Sequence, residues 1–233
     1  MFRGERVVAL IVAAGQSVRM GGDKIFAPLC GVPLLARTVE VLLDSPLVDE
    51  LVVVLRQERL GAGLRLARAR GWPGRVRFCA GGRLRQDSVR LGLEMIPGEG
   101  WVLIHDGARP LLRPEVIARG LEAAAEVGAA VPGVPLADTV KLVSSTGMVE
   151  QTLPRERLQA VQTPQVFRLS RIRQAHRSLE PAGQHFSDDA ALLEALGHPV
   201  AVFPGDPDNL KVTSRGDLQT ARRRWREREK GHG

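Results

Sequence analysis

The chain has 233 residues, enough for one large domain with a core that folds unaided. It is 44% hydrophobic and 25% charged, an ordinary globular composition, and no apolar run nears the roughly 20 residues that span a bilayer, so a membrane partner is not expected. The formal charge of +7 points to anionic ligands, but aromatics make up 4% and Tyr is absent, which leaves little to stack bases on and argues against nucleic acid.

Val7–Val12 reads as a buried strand. It opens into Ala13–Lys24, a loop of small residues that carries Arg19 and Lys24. Small residues let backbone N–H groups approach a ligand closely, and the two cations can neutralise phosphate oxygens. The loop matches neither G-x-G-x-x-G nor G-x-x-x-x-G-K-[ST], so the dinucleotide fingerprint and the P-loop are both excluded. Pro33–Leu43 follows as a helix with its proline in the first turn, then Leu51–Leu55 as a strand, a basic helix from about Glu58 to Arg70, and Val76–Ala80 as a third strand. That strand closes on Gly81-Gly82, and Asp87 or Ser88 is placed to cap the next helix. Trp101–His105 is a fourth strand ending at Asp106-Gly107, and Pro114 opens a helix that reaches about Val127.

The pattern changes after Pro135. Alternating residues at 138–143 and 148–153 flank Ser144–Gly147 and read as a β-hairpin. A two-stranded hairpin is marginal by itself, so a second subunit is one surface it could pack on. Helices near 169–179 and 188–196, a strand at 200–203 and a helix from about Ser214 complete the chain. Continuous apolar strands alternating with helices imply an α/β fold, an open doubly wound, mostly parallel sheet of Rossmann-like plan. The whole chain, 1–233, reads as a single domain, with residues 137–155 as a β-hairpin arm within it. Cys30 and Cys79 sit in no metal-ligand spacing and read as free thiols of a reducing cytoplasm. The charged residues 1–6 lead straight into a strand, unlike a signal peptide. The arginines of 56–77 and 222–226 read as solvated helix faces.

Ligands of such folds bind beyond the carboxyl ends of the strands, where Ala13–Lys24, Gly81–Ser88 and Asp106–Arg109 all fall. Arg19 and Lys24 read as a triphosphate clamp or, alternatively, as surface cations on a turn. Gly81 and Ser88 suit a base or ribose, or simple turn-and-cap chemistry. Asp106 suits a Mg²⁺–nucleotide complex, or an ion pair with Arg109. His105 reads as structural. Asp208 and Lys211 could contact a metal and a phosphate, or belong to an Asx turn. No arrangement for covalent catalysis is present, so the residues point to positioning and charge neutralisation.

Six blocks together resemble the 2-C-methyl-D-erythritol 4-phosphate cytidylyltransferase family of nucleotidyltransferases. They are Ala-Ala-Gly-x-x-x-Arg-Met-x-x-x-Lys at 13–24, Gly-Gly-x-x-Arg-x-x-Ser-Val at 81–89, His-Asp-x-Ala-Arg-Pro at 105–110, Asp138–Lys141, Gln162–Gln165 and Asp208–Thr213. The resemblance runs nearly end to end. It implies that CTP and methylerythritol phosphate, a small phosphorylated polyol, give a CDP-alcohol and pyrophosphate in non-mevalonate isoprenoid biosynthesis, by in-line attack on the α-phosphorus. It assigns Arg19, Lys24 and Lys211 to catalysis, and Ala13, Ala14, Gly15, Gly81, Arg83 and Ser88 to the nucleotide. Asp106, Arg109, Thr139, Arg155 and Ser187 go to the second substrate, with Asp106 also holding Mg²⁺. It further implies a homodimer in which the arm carries Thr139 and Arg155 to the neighbour's site. Ser17, Gly107 and Ser187 depart from the family's usual glycine, alanine and threonine, and none of these changes removes a charge. A ribitol-phosphate cytidylyltransferase shares the plan, and a molybdenum-cofactor guanylyltransferase shares the look of the loop at 17–24. The blocks at 81–89 and 208–213 argue against the guanylyl alternative.

Overall fold

The first strand, β1 (Val7–Val12), shows why the chain forms layers. Val7, Ala9 and Ile11 enter one apolar core, and Val8 and Leu10 enter another. A strand alternates its side chains between faces, so a run apolar at every position must be covered on both. The computed structural model describes residues 1–15, 23–72, 74–179 and 184–231. After β1 come β2 (Pro28–Leu29), β3 (Val32–Pro33), α1 (Leu34–Leu43), β4 (Glu50–Leu55), α2 (Leu60–Ala69), β5 (Val76–Ala80), α3 (Arg85–Glu94), β6 (Trp101–Asp106) and α4 (Pro114–Val127). Then follow β7 (Ala129–Pro135), β8 (Val140–Val143), β9 (Val149–Leu153), β10 (Gln159–Val161), β11 (Gln165–Arg168), α5 (Leu169–Leu179), α6 (Ala190–Ala195), β12 (Ala201–Pro204) and α7 (Arg215–Gly231).

Helices α1, α4 and α7 cover one face of the sheet through Leu35, Val39, Ile117, Leu121 and Leu218. Helices α3, α5 and α6 cover the other through Val89, Leu93, Ile172 and Leu193. The main sheet runs β10-β7-β11-β6-β1-β4-β5, with β12 also paired to β7. Strands β5, β4, β1 and β6 are parallel, as expected for a doubly wound sheet. Beyond β6 the sheet becomes mixed: β11 is antiparallel to both β6 and β7, and β10 is antiparallel to β7. The sequence reading did not anticipate β7, β10 and β11. Strand β7 carries Pro132, Gly133 and Pro135, residues that weaken a strand signal. Its prolines are tolerated because neighbouring strands use its carbonyls, as when Gln162 N–H donates to Pro132 O at 2.8 Å.

Two local expectations need correction. Helix α3 starts at Arg85, ahead of both Asp87 and Ser88. The Asp87 carboxylate reaches back to accept the Leu84 N–H at 3.0 Å, and Ser88 Oγ accepts the Gly82 N–H at 3.2 Å while donating to Leu84 O at 3.0 Å. Both residues therefore satisfy the helix start from within its first turn. The arginine-rich stretches are also more than solvated faces. Arg56 and Arg59 both bind the Asp23 carboxylate, at 3.2 and 2.6 Å. Arg75 donates to the carbonyls of Leu43, Val48 and Asp49. On α7, Arg222 donates to Pro28 O, Arg224 pairs with Asp208, and Arg228 donates to Leu111 O. Guanidinium groups fork, so each arginine can staple several chain segments.

His176 lies on α5 at 3% exposure, and its Nε2 has no hydrogen-bond partner among the described residues. Burial lowers its pKa from 6.5 to about 4, and Arg90 and Arg85 act in the same direction. Between those values the unfolded chain binds a proton that the folded chain refuses, so acid favours unfolding. We predict full stability from this group above about pH 6.5, and loss of up to about 3 kcal/mol as pH falls toward 4. Urea denaturation of the wild type and His176→Leu across that range checks this: the variant's stability should depend less steeply on pH.

Candidate active site

The chain builds outward from β1 in both directions. Strands β4 and β5 follow on one side, and β6 then returns to the other. This reversal opens a crevice at the carboxyl ends of β1 and β6, where doubly wound folds bind ligands. A cavity occupies that end, lined by Ala13, Ala14, Gly15, Lys24, Arg83, Arg85, Ser88, Asp106 and Lys211, among others. The three strand-end segments expected to converge do so.

Asp106 ends β6 with its side chain largely buried. Lys211 Nζ lies 2.9 Å from Oδ2, Arg109 Nε lies 3.3 Å from the same oxygen, and Arg85 Nε lies 3.7 Å from Oδ1. Burial by itself would raise this carboxyl's pKa. Lys211 first, then Arg85 and Arg109, overcome that and hold it well below the usual carboxylate range. The anion therefore persists at every physiological pH. Lys24 reaches the same region from a short turn at Lys24–Phe26, with Nζ donating to Val212 O at 3.0 Å. Two ammonium groups from segments far apart in sequence thus line one cavity with this carboxylate, an arrangement that a polyphosphate with a divalent cation complements in charge.

A polar lattice behind the cavity fixes these groups. The Arg109 carbonyl can only accept, so His105 must present N–H at Nε2, where the contact is 3.1 Å. Nδ1 is then the acceptor for the Thr163 hydroxyl at 3.0 Å, and Thr163 Oγ1 accepts the Asp106 N–H at 3.1 Å. Burial lowers His105 to about 4, which keeps it neutral and this pattern intact. His105 is structural, as its sequence position implied. Asn209 donates from Nδ2 to Thr163 O at 2.8 Å, Arg109 donates to Asn209 O at 2.7 Å, and Val212 N–H donates to Ala108 O at 2.8 Å. Lys211 is thus held by its neighbours on both sides. The Gln162–Gln165 motif continues the lattice: Gln162 exchanges hydrogen bonds with Asp206, and Gln165 binds the 188–190 segment.

The expected residues are distributed as follows. Ala13, Ala14, Gly15, Lys24, Arg83, Ser88, Asp106 and Lys211 all line the cavity. Gly81 packs behind that wall, where a Cβ would stand 2.5 Å from Ala14 Cβ and 2.7 Å from Ser88 Oγ. Arg109 supports Asp106 from its largely buried side chain. Arg19 lies outside the described residues. Thr139 and Arg155 flank the arm and are not among the cavity's lining residues; Arg155 donates to Ala137 O at 2.6 Å. Ser187 is exposed next to Asp188 and also lies outside the lining. Asp208 binds Arg113 at 3.0 Å as well as Arg224, and Asp206 Oδ1 accepts its N–H at 2.8 Å. It therefore closes a stapled Asx turn and does not line the cavity. The sequence reading overlooked Arg85, although Arg85 is the arginine of the quoted Gly-Gly-x-x-Arg block. It also overlooked Asp189, which pairs with Arg85 at 2.7 Å.

A doubly wound sheet that gathers a small-residue loop, two lysines and a strand-end aspartate at its switch point is the framework of a nucleotidyltransferase. Residues 7–226 match the family described as 2-C-methyl-D-erythritol 4-phosphate cytidylyltransferase, and the chain belongs to that family. It is 50% identical to the enzyme of that name from Dehalococcoides mccartyi strain CBDB1, over 95% of this chain and 96% of that one. The Geobacillus thermodenitrificans enzyme of the same name is 42% identical, over 90% and 92%. Among solved structures, the 2-C-methyl-D-erythritol 4-phosphate cytidylyltransferase of Thermus thermophilus superposes with a TM-score of 0.75 at 33% identity, covering 93% of this chain and 98% of its own. The 4-diphosphocytidyl-2C-methyl-D-erythritol synthase of Anaerococcus prevotii superposes at 0.86 with 25% identity, over 96% and 97%.

The lattice makes Thr163 a sensitive position. Thr163→Val keeps the shape but strips partners from the buried Asp106 N–H and His105 Nδ1, which should cost about 2 kcal/mol or more. Thr163→Ser should retain most of the stability. Chemical denaturation of both variants tests this, and equal stabilities would contradict it.

Proposed function

We propose that this chain transfers the cytidylyl group of CTP to 2-C-methyl-D-erythritol 4-phosphate, forming the CDP-alcohol and releasing pyrophosphate, in isoprenoid biosynthesis. The carrying observation is the meeting of Lys24, Lys211 and an ionised Asp106 at one cavity beside the Ala13–Gly15 and Gly82–Ser88 loops. Family membership supports the same substrates, and nothing favours a ribitol-phosphate or guanylyl alternative. A phosphate oxygen of the acceptor attacks the α-phosphorus as the bond to pyrophosphate breaks in line. Lys24 and Arg19 stabilise the charge that grows on the phosphoryl oxygens. Ala13, Ala14, Gly15, Arg83 and Ser88 hold the nucleotide, with Gly81 keeping the wall thin enough for close approach. Lys211 exchanges its carboxylate partner for a phosphate oxygen once substrate enters, and Arg109 keeps Asp106 oriented.

Asp106 is suited to Mg²⁺: it is a hard, ionised oxygen donor on the cavity wall. Among the described residues there is no cluster of three or more candidate metal ligands, so the ion would complete its shell with phosphate oxygens and water. Bound there, Mg²⁺ supplies charge neutralisation for the triphosphate. A pyrophosphate-release assay with CTP, methylerythritol phosphate and Mg²⁺ tests the reading, and turnover with GTP but not CTP would overturn it. Lys24→Ala and Arg19→Ala should lower kcat by about 100-fold or more while leaving CTP affinity within a few-fold. Equal losses in both constants would remove the transition-state role.

A homodimer completes this reading. Among the described residues, strands β8 and β9 pair only with each other, and a lone hairpin is marginal in water. Leu142, Val143, Met148 and Val149 are all exposed on it. A second copy would cover this apolar surface and receive Thr139 and Arg155, while Ser187 would meet the acceptor from within the same chain. No helix among the described residues is long and apolar enough to cross a membrane, and the free Cys30 and Cys79 fit a reducing cytoplasm. Light scattering should give twice the chain mass. Leu142→Asp/Val149→Asp should shift the protein toward monomer and reduce activity in parallel; a fully active monomer would dissociate the arm from the site.

A further inference from the structure

Arg85 lines the cavity, yet the transfer step described above gives it no task. Its Nη2 lies 2.7 Å from Asp189 Oδ2, whereas its Nε lies 3.7 Å from Asp106 Oδ1. The first is a close ion pair, and the second is beyond hydrogen-bond reach. Asp189 is 1% exposed and is held from behind. Gln165 Oε1 accepts the N–H groups of Asp189 and Ala190, both at 3.2 Å, and Gln165 Nε2 donates to Asp188 Oδ2 at 2.7 Å. Burial raises the Asp189 carboxyl and the Arg85 guanidinium opposes that shift. A buried ion pair of this kind adds little stability over apolar packing, so its presence calls for another account.

The occupancy of Asp106 supplies one. Lys211 and Arg109 both approach Oδ2, which leaves Oδ1 as the oxygen with no contact inside 3.5 Å from these cations. We propose that Asp189 is a positioning residue that holds Arg85 back from Asp106, so that Oδ1 stays available to a divalent cation arriving with the nucleotide. The proposal rests on the metal-assisted cytidylyl transfer proposed above. Without the Asp189 charge, Arg85 loses its nearer partner and closes on Oδ1, where it competes with the metal. Arg85 is thus a restrained competitor for Asp106, and Gln165 belongs to the restraint through its hold on the 188–190 segment.

Binding of Mn²⁺, followed by water-proton relaxation enhancement with and without CTP, tests this separately from turnover. Asp189→Asn should raise the Mn²⁺ concentration for half-saturation of the ternary complex by about ten-fold, the scale of lost support behind a metal ligand. At saturating metal, kcat should fall far less than that. Asp189→Glu should stay near the wild type. Arg85→Gln/Asp189→Asn should recover most of the lost affinity, because no guanidinium remains to compete. Half-saturation within two-fold of wild type for Asp189→Asn, or a double variant as impaired as the single, overturns the proposal. Should Asp189→Asn fail to fold, Arg85→Gln decides: half-saturation at or below the wild-type value supports the restraint, and a several-fold rise overturns it. A wild type with no CTP-dependent Mn²⁺ binding overturns the transfer reading together with the restraint, whereas normal wild-type binding and an unshifted Asp189→Asn overturn the restraint alone.

Discussion

One carboxylate organises this molecule. Asp106 is buried at the end of a central strand and remains ionised because Lys211, Arg85 and Arg109 surround it. Those cations come from the start of α3, the turn after β6 and the loop before α7. The fold must therefore bring three distant segments to one strand end, and the parallel β1–β6 pair beside a topological reversal does so. An isolated buried carboxylate would be expensive or would protonate. Here the compensating charges are also groups that a triphosphate could attract. The stability of the unliganded site and its chemistry thus depend on the same contacts.

The rear of the site explains how those contacts are kept in place. Thr163, His105 and Asn209 form a lattice in which the Arg109 carbonyl fixes the His105 tautomer and, through it, the direction of the Thr163 hydroxyl. The Arg113 and Arg224 pairs with Asp208 hold the 206–213 segment at its outer end. Many arginines that give the chain its positive charge act as staples to carbonyls or carboxylates. Net charge was therefore a weak guide to partners, since much of it is used inside the protein's own surface.

The parallel half of the fold was legible because β1, β4 and β6 carry continuous apolar runs, and β5 and β6 close on Gly81 and Asp106. The mixed half was not. Strand β7 contains two prolines and a glycine, and β11 is a four-residue segment that starts on the last residue of the Gln162–Gln165 block. The cavity residues of the first three motifs were legible, because each motif follows a strand and so had to reach the same sheet end. Arg83 came from the resemblance, which left Arg85 without a role; with α3 beginning at Arg85, that side chain lies near Asp106 and pairs with Asp189. Asp189 carried no local signal, since its meaning comes from an arginine about a hundred residues earlier. The solvated-face reading of Arg56 and Arg59 failed for the same reason: their partner, Asp23, is a tertiary neighbour.

Gly81 packs where the segments at 13–15 and 81–88 meet at the cavity wall. A Cβ at 81 would stand 2.5 Å from Ala14 Cβ in the first segment and 2.7 Å from Ser88 Oγ in its own. Those loops therefore share one wall a single backbone thick. Evolution cannot remodel one without answering in the other: a bulkier residue at 81 demands a smaller one at 14 or 88. Changes in the shape of this wall should accordingly arise as coupled sets of substitutions whose separate effects do not add.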